Sequence, residues 1–301
     1  MIGESRRALL VGDNPFHNIS HMSQDRIKLR GEALNYPEHA ASLIMMSIDN
    51  GANGFMFSVD EATLSILDII REKGEIGRLS LYAIVPYAYE YVKLATQVGG
   101  IPGLAKTFAK QLISSGNVRA MTSGVNGVLR ANPVSVLKTY LTYEINRIRS
   151  SSGKESNLQS VLLHEVITDM ALALDLGWLF KAYMDFASEC GFTPGFNTCN
   201  FAYLINKFDE WDIDLSETVI AAPFNKAGFQ MNPSIEACEK ALQSVHEPIL
   251  IGISVLAGGY LKPPEAIDYI AALPNVKGVA VGVSKEKHAR ETFRFLKQKL
   301  G

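Results

Sequence analysis

His164 and Glu165 stand side by side at the end of an apolar run. A histidine titrates near neutrality, so His164 is a candidate general acid or base, and Glu165 is its neighbouring alternative. Adjacent residues on a strand point to opposite faces, so only one of the two faces a shared interior unless the strand has ended. The other reading of His164 is a hydrogen-bonded histidine closing a strand. Asp13 and Asp60 also follow apolar runs and are candidate proton-handling carboxylates. Its neighbour Glu61 equally suits the first turn of a helix, where the dipole favours negative charge. Lys226 is a Schiff-base candidate if burial lowers its pKa, and an ordinary solvated lysine if not. His17 and His21 have i,i+4 spacing. On a helix they would share one face and could ligate a divalent metal, with Asp13 or Glu165 completing the set. There is no HExxH and no HxH, so His17 is read first as a substrate-binding residue and no metal site is assigned.

Two glycine-bearing turns suit an anion. One is Leu256-Ala-Gly-Gly-Tyr260, with Ser254 just before it and Gly258 and Gly259 inside it. The other runs from Val281 through Gly282 to Ser284 and Lys285. Glycines let backbone amides approach a phosphate or carboxylate closely, and Ser284 is placed to cap the helix that follows. Turn glycines and an ordinary N-cap would look the same. Asn197, Asn200 and Asn225 are candidate hydrogen-bonding contacts to a polar substrate. Cys199 lies beside them and reads as an inert thiol.

Short apolar runs alternating with helical patterns must position these groups. Ala8–Gly12, Gly54–Val59, Leu79–Val85, Gln159–His164, Gly195–Thr198, Thr218–Pro223, Pro248–Val255 and Val276–Val283 read as strands. Most are apolar on both faces, as parallel strands covered by helices are. Helical patterns follow at 37–50, 61–73, 166–189, 200–208, 233–245, 263–273 and 285–299. Eight such units predict an α/β fold, a (β/α)8 TIM barrel, over an open doubly wound sheet, and no GxGxxG follows the first strand. Every candidate above then falls at a strand's C-terminal end or in the loop after it, where barrel enzymes carry their chemistry.

Residues 87–158 hold more than one crossover needs, so a helical insertion is expected between the third and fourth strands. It is either a lid carrying Arg119 or Arg130 to a substrate, or a passive cover or oligomer contact. The 301 residues otherwise make one barrel domain, 1–301. Hydrophobic residues make up 47% and charged residues 20%, a globular balance. The 29 Lys and Arg against 31 Asp and Glu leave no basic excess for a phosphate backbone, so nucleic acid is not an expected partner. Three cysteines without CxxC spacing suit free thiols, and no apolar run is long enough for a signal core or membrane span. A cytoplasmic protein is expected, with a homo-oligomer left open.

The C-terminal half resembles the aldo/keto reductase superfamily. Val161-Leu-Leu-His164 is similar to that family's fourth strand, which ends in histidine. Ala222-Pro-Phe-Asn225 resembles its sixth, Ile253-Ser-Val-Leu-Ala-Gly-Gly-Tyr-Leu261 its seventh, and Val279-Ala-Val-Gly-Val-Ser-Lys-Glu-Lys-His288 its eighth-strand cofactor loop. The resemblance implies the barrel and an NADP(H) loop at Ser284 and Lys285. It also implies a catalytic Asp, Tyr, Lys and His, of which only His164 and Asp60 have counterparts. No tyrosine follows Asp60 at the family's interval, and Ile84-Val-Pro86 lacks the lysine. The first expectation is therefore acid/base chemistry on a small phosphorylated or carboxylated metabolite. The alternatives are an NADP(H)-binding oxidoreductase with altered catalytic residues, and a non-catalytic ligand-binding barrel.

Overall fold

The computed structural model describes residues 7–17, 36–86 and 133–301. Eight parallel strands close into a barrel in sequence order. They are β1 (Ala8–Gly12), β2 (Gly54–Ser58), β3 (Ser80–Val85), β4 (Asn157–Leu163), β5 (Thr193–Asn197), β6 (Val219–Pro223), β7 (Ile249–Ile253) and β8 (Val276–Gly282). β1 closes the ring by pairing with β8 from Ala8↔Gly278 to Gly12↔Gly282. Around them lie α1 (Pro37–Asp49), α2 (Glu61–Glu72), α3 (Pro133–Ser152), α4 (Glu165–Ala173), α5 (Gly177–Cys190), α6 (Phe201–Glu210), α7 (Ile235–Ser244), α8 (Pro263–Ala272) and α9 (Glu286–Leu300). Among the described residues no helix is long and apolar enough to cross a membrane.

Strand alternation sorts side chains into two cores. Leu10, Met56, Tyr82, Ile84, Leu162, Val219, Ala221 and Ile251 fill the barrel interior. Their neighbours in sequence, such as Val11, Phe55, Phe57, Val161 and Phe196, face the helices in a larger second core. Each fully buried Leu, Ile or Phe contributes about 1.5–3 kcal/mol, so closure with helices on every side satisfies these two-faced strands.

Phe196 on β5 is the hub of an aromatic group. Its ring lies 5.5 Å from Phe180, 5.1 Å from Phe208 and 5.7 Å from Tyr183, all edge-on. The Tyr183 hydroxyl donates to Val161 O of β4 and accepts from Gly195 N of β5. One buried side chain thus ties together the two strands that carry His164 and Asn197.

Two departures from the sequence reading have physical causes. The pattern at 166–189 predicts one helix, but the chain breaks it into α4 and α5 at residues 174–176. Asp175 takes a left-handed φ of 57° there. An unbroken helix of that span would be about 36 Å long, well beyond the roughly 20 Å of a short barrel strand. The second concerns the expected insertion. α3 occupies the ordinary third position in the helical ring, between α2 and α5. It is held by Arg147 to Glu61 at 2.6 Å and Lys138 to Glu189 at 3.0 Å. The surplus chain is therefore residues 87–132. The lid and cover readings, with Arg119 and Arg130, fall there, outside the described residues.

Gly195 marks the tightest interior contact between β4 and β5. A Cβ there would sit 2.5 Å from Leu162 Cγ and 2.7 Å from Ser160 Oγ. Gly195→Ala is expected to lower stability by about 1–3 kcal/mol through overpacking. Urea denaturation checks this, with a lower midpoint at unchanged m-value; an unchanged midpoint would contradict the packing.

Candidate active site at the barrel mouth

The C-terminal ends of β1 and β2 deliver an acidic pair with a histidine between its members. Asp13 follows β1 directly, and a short 3-10 turn, Asn14–His17, brings His17 back over it. His17 Nε2 lies 3.0 Å from Asp13 Oδ2, and its Nδ1 lies 3.0 Å from Asp60 Oδ2. Asp13 Oδ2 also accepts from Ser58 N at 2.6 Å. Asp60 caps α2: its Oδ1 accepts from Thr63 N at 2.8 Å, and its own amide donates to Thr63 Oγ1 at 3.2 Å. One carboxylate thus both caps α2 and reaches His17 at the barrel mouth.

Charge follows from this geometry. Burial opposes an imidazolium, but the hydrogen bonds and charges of Asp13 and Asp60 override it, and the His17 pKa is pushed up to about 10. Burial would raise Asp60, yet the hydrogen bond and charge of His17 and the Thr63 contacts hold it below the usual carboxylate range. His17 is a charged clamp with both ring nitrogens engaged.

His164 has the opposite fate. Its amide still bonds Val85 O of β3 at 2.7 Å, so the strand alternation that turns Leu162 inward also turns His164 inward. Its Nδ1 accepts from Val166 N at 3.2 Å and caps α4. Burial lowers its pKa, against the charges of Glu165, Asp13 and Asp169. The ring is neutral near pH 7, and because Nδ1 accepts, Nε2 carries the proton. His164 therefore presents an N–H donor. The strand has ended at Glu165, which opens α4, and its Oε2 meets Cys199 Sγ at 3.8 Å. Beside these carboxylates the Cys199 thiol is held protonated, burial being the main cause, with its pKa pushed up to about 12.

Asp169, one helical turn after Glu165, is a residue that sequence reading missed. Its carboxylate accepts from the Thr198 hydroxyl and from Cys199 N, the latter at 3.2 Å. Thr198 Oγ1 in turn accepts from Asn200 N at 2.9 Å. Asn200 stands at the start of α6 without a side-chain cap bond. The i,i+4 spacing of Glu165 and Asp169 at the start of α4 is the sequence signal that could have found it. These contacts fix the turn after β5, whose last residue, Asn197, is only 5% exposed. Asn197 faces the interior, since its neighbour Phe196 packs outward, and its Oδ1 has no hydrogen-bond partner among the described residues.

The remaining candidates are committed elsewhere. Asn225 is fully buried and closes its own loop, with Nδ2 to Phe229 O at 2.8 Å and Phe229 N to Oδ1 at 2.9 Å. Lys226 has a side chain 59% exposed and pairs with Glu265 at 2.9 Å. Ser254 takes a φ of 52° and donates to Gln230 Oε1 at 3.0 Å. Gly258 and Gly259 have φ of 68° and 93°, conformations that suit glycine. Gly282 lies against Pro15, whose ring carbons would be 2.7 Å from an added Cβ. Ser284 does not cap α9; the cap position is Lys285, with no side-chain cap bond. Among the described residues no group of three such side chains is arranged to hold a metal ion, and His21 lies outside them.

No protein-family model matches the chain, and no curated protein matches it in sequence. Solved structures do match. One is described as an aldo-keto reductase from Pseudomonas aeruginosa, with TM-score 0.60 and 11% identity over 98% of this chain and 91% of that one. Another is an aldo-keto reductase from Klebsiella pneumoniae in complex with NADPH, with TM-score 0.49 and 11% identity over 96% and 85% of the two chains. The distant resemblance read from the C-terminal half thus extends over nearly the whole chain, as a likeness of fold.

The clamp makes a signed prediction. His17 has a folded pKa of about 10 against an ordinary 6.5, so its stabilisation is complete below 6.5 and fades as pH climbs towards 10. His17→Gln is expected to cost roughly 3–5 kcal/mol at neutral pH, because it leaves two buried carboxylates uncompensated. It should also flatten the decline of unfolding free energy over that window. Urea titrations across the alkaline range measure both; the same slope in the variant would contradict the assignment.

Proposed function

We propose that the barrel mouth is the active site of an enzyme that moves protons on a small metabolite bearing a carbonyl or hydroxyl group. The observation that carries this reading is the state of His164: neutral, facing inward, and held by Val166 N so that its proton is on Nε2. Such a donor stabilises charge developing on a carbonyl oxygen, in a low-dielectric setting where each hydrogen bond is strong. Glu165 is the neighbouring base. Asp13 acts through the clamp at the opposite rim, and Asn197 positions the substrate. An anionic end of the metabolite would lie across the mouth at the Gly258–Gly259 turn and near Lys285. This places it across the ring from Glu165 and Asp169, which would repel it.

The fold likeness favours a second reading, an oxidoreductase using NADP(H). Lys285 and the glycine turn after β7 suit a nucleotide phosphate, and the cofactor would supply hydride transfer. The tyrosine and lysine of the related tetrad have no counterparts at the matching positions, so proton delivery would again fall to His164.

Fluorescence titration with NADPH separates the two readings: quenching supports the oxidoreductase, and its absence supports proton chemistry alone. On any accepted substrate, His164→Ala is expected to lower kcat/KM by about 10²–10⁴-fold with unchanged circular dichroism. The acid limb of the wild-type profile should lie below pH 6.5, as the lowered His164 pKa requires, and should vanish in the variant. Full activity in the variant would overturn the assignment.

A further inference from the structure

One stretch of the outer surface is apolar where a barrel helix is ordinarily charged. α4 and its C-cap turn Val166, Met170 and Leu174 to solvent at i, i+4 and i+8, and these residues are 43%, 56% and 63% exposed. The two charged residues of α4 are engaged elsewhere: Glu165 meets Cys199 Sγ at 3.8 Å, and Asp169 accepts from Cys199 N at 3.2 Å. The stripe continues to Trp178 at the start of α5 and Tyr203 on α6, both exposed. Lys207, one turn after Tyr203, bonds Asp175 beside Leu174 at 2.8 Å. A Cβ on Gly177 would lie 2.9 Å from Trp211 at the end of α6. α4, the start of α5 and α6 thus share one face. Together the five residues expose roughly 500 Å². A standard interface takes about 800 Å² from each partner and is about 65% apolar in a homodimer, so the stripe supplies the apolar share that one such interface requires.

The charges bordering the stripe select its partner. Lys181 and Lys207 stand against Asp175, Asp185 and Glu210, and Lys207 is held by both Asp175 and Glu210. A membrane surface requires a basic border, and this one has an acidic excess. A strongly charged protein would meet no field of one sign. A second copy brings the same apolar stripe and the same mixed border, so each lysine can meet an acid. We propose that the chain forms a two-fold dimer through this face, with the axis at Met170. The two α4 helices then lie antiparallel with opposed dipoles, Met170 meets its own copy, and Val166 meets the partner's Leu174. The seam starts at Val166, whose amide bonds His164 Nδ1, so each copy covers the turn that holds the other's His164 ring. The dimer is independent of the reaction proposed for the mouth.

The test is sedimentation velocity of the full chain from about 0.1 to 100 µM, because interfaces of this size span micromolar to picomolar Kd. Wild type is expected as a dimer by about 10 µM. Trp178 lies within the stripe, so its emission should shift to the blue as the dimer forms. Met170→Lys sets two like charges on the axis and is expected to raise Kd at least about 30-fold, the loss of an interface hot spot, with unchanged circular dichroism. Leu174→Lys should weaken the dimer in the same direction, and it carries the test if the first variant does not fold. A dimer that both variants leave intact lies on another face and overturns the proposal. A wild type still monomeric at about 100 µM overturns it too. Pelleting of that monomer with vesicles of phosphatidylcholine and phosphatidylglycerol would assign the stripe to a membrane instead.

Discussion

Closure of the barrel is the constraint on which everything else rests. Strands apolar on both faces cannot leave an edge or a face in water, and the β1–β8 ladder removes the last edge. Because all eight strands are parallel, closure also brings every C-terminal end to one rim. Asp13 and His164 come from opposite sides of that ring, and closure is what lets the charge of one act on the ring of the other. The inner core fills the barrel with mostly apolar side chains, so the described titratable groups of the site gather at the rim.

Two histidines at that rim show how placement decides chemistry. His17 lies between two carboxylates, and its gain in hydrogen bonds and attraction exceeds the penalty of burial, so it stays charged. His164 is tied to a backbone amide, which supplies no charge, and burial dominates, so it stays neutral. The charged ring joins the loops after β1 and β2 into one rigid unit. The neutral ring keeps an N–H, which the proposed chemistry uses. The same side chain is a charged brace at one site and, in that proposal, the proton handler at the other.

Much of this was legible in the sequence because apolar runs report burial directly. The strand from Ala8 to Gly12 is where the pattern placed it, and the other seven differ by only a few residues at their ends. Periodicity could not show the break at Asp175, because the apolar pattern runs on through it. It could not show which helical pattern within 87–158 takes the third place in the ring, because more than one there suits a helix. The Asp13–His17–Asp60 clamp joins residues from two loops, and only the pairing of β1 with β2 brings them together. Asp169 reads as an ordinary helix residue until the Thr198 hydroxyl is seen to reach it. Ser284 has a capping residue's chemistry, but α9 starts later, so Lys285 takes the cap position.

The protonation pattern of the two rings is the point from which the proposed chemistry follows, and nitrogen-15 NMR of the imidazoles across a pH titration reads it directly. His164 should appear as the neutral Nε2–H tautomer at pH 7 and titrate below 6.5, while His17 should remain doubly protonated well above neutrality. A His164 ring protonated on Nδ1, or one titrating above 6.5, would contradict its role as the donor at the barrel mouth.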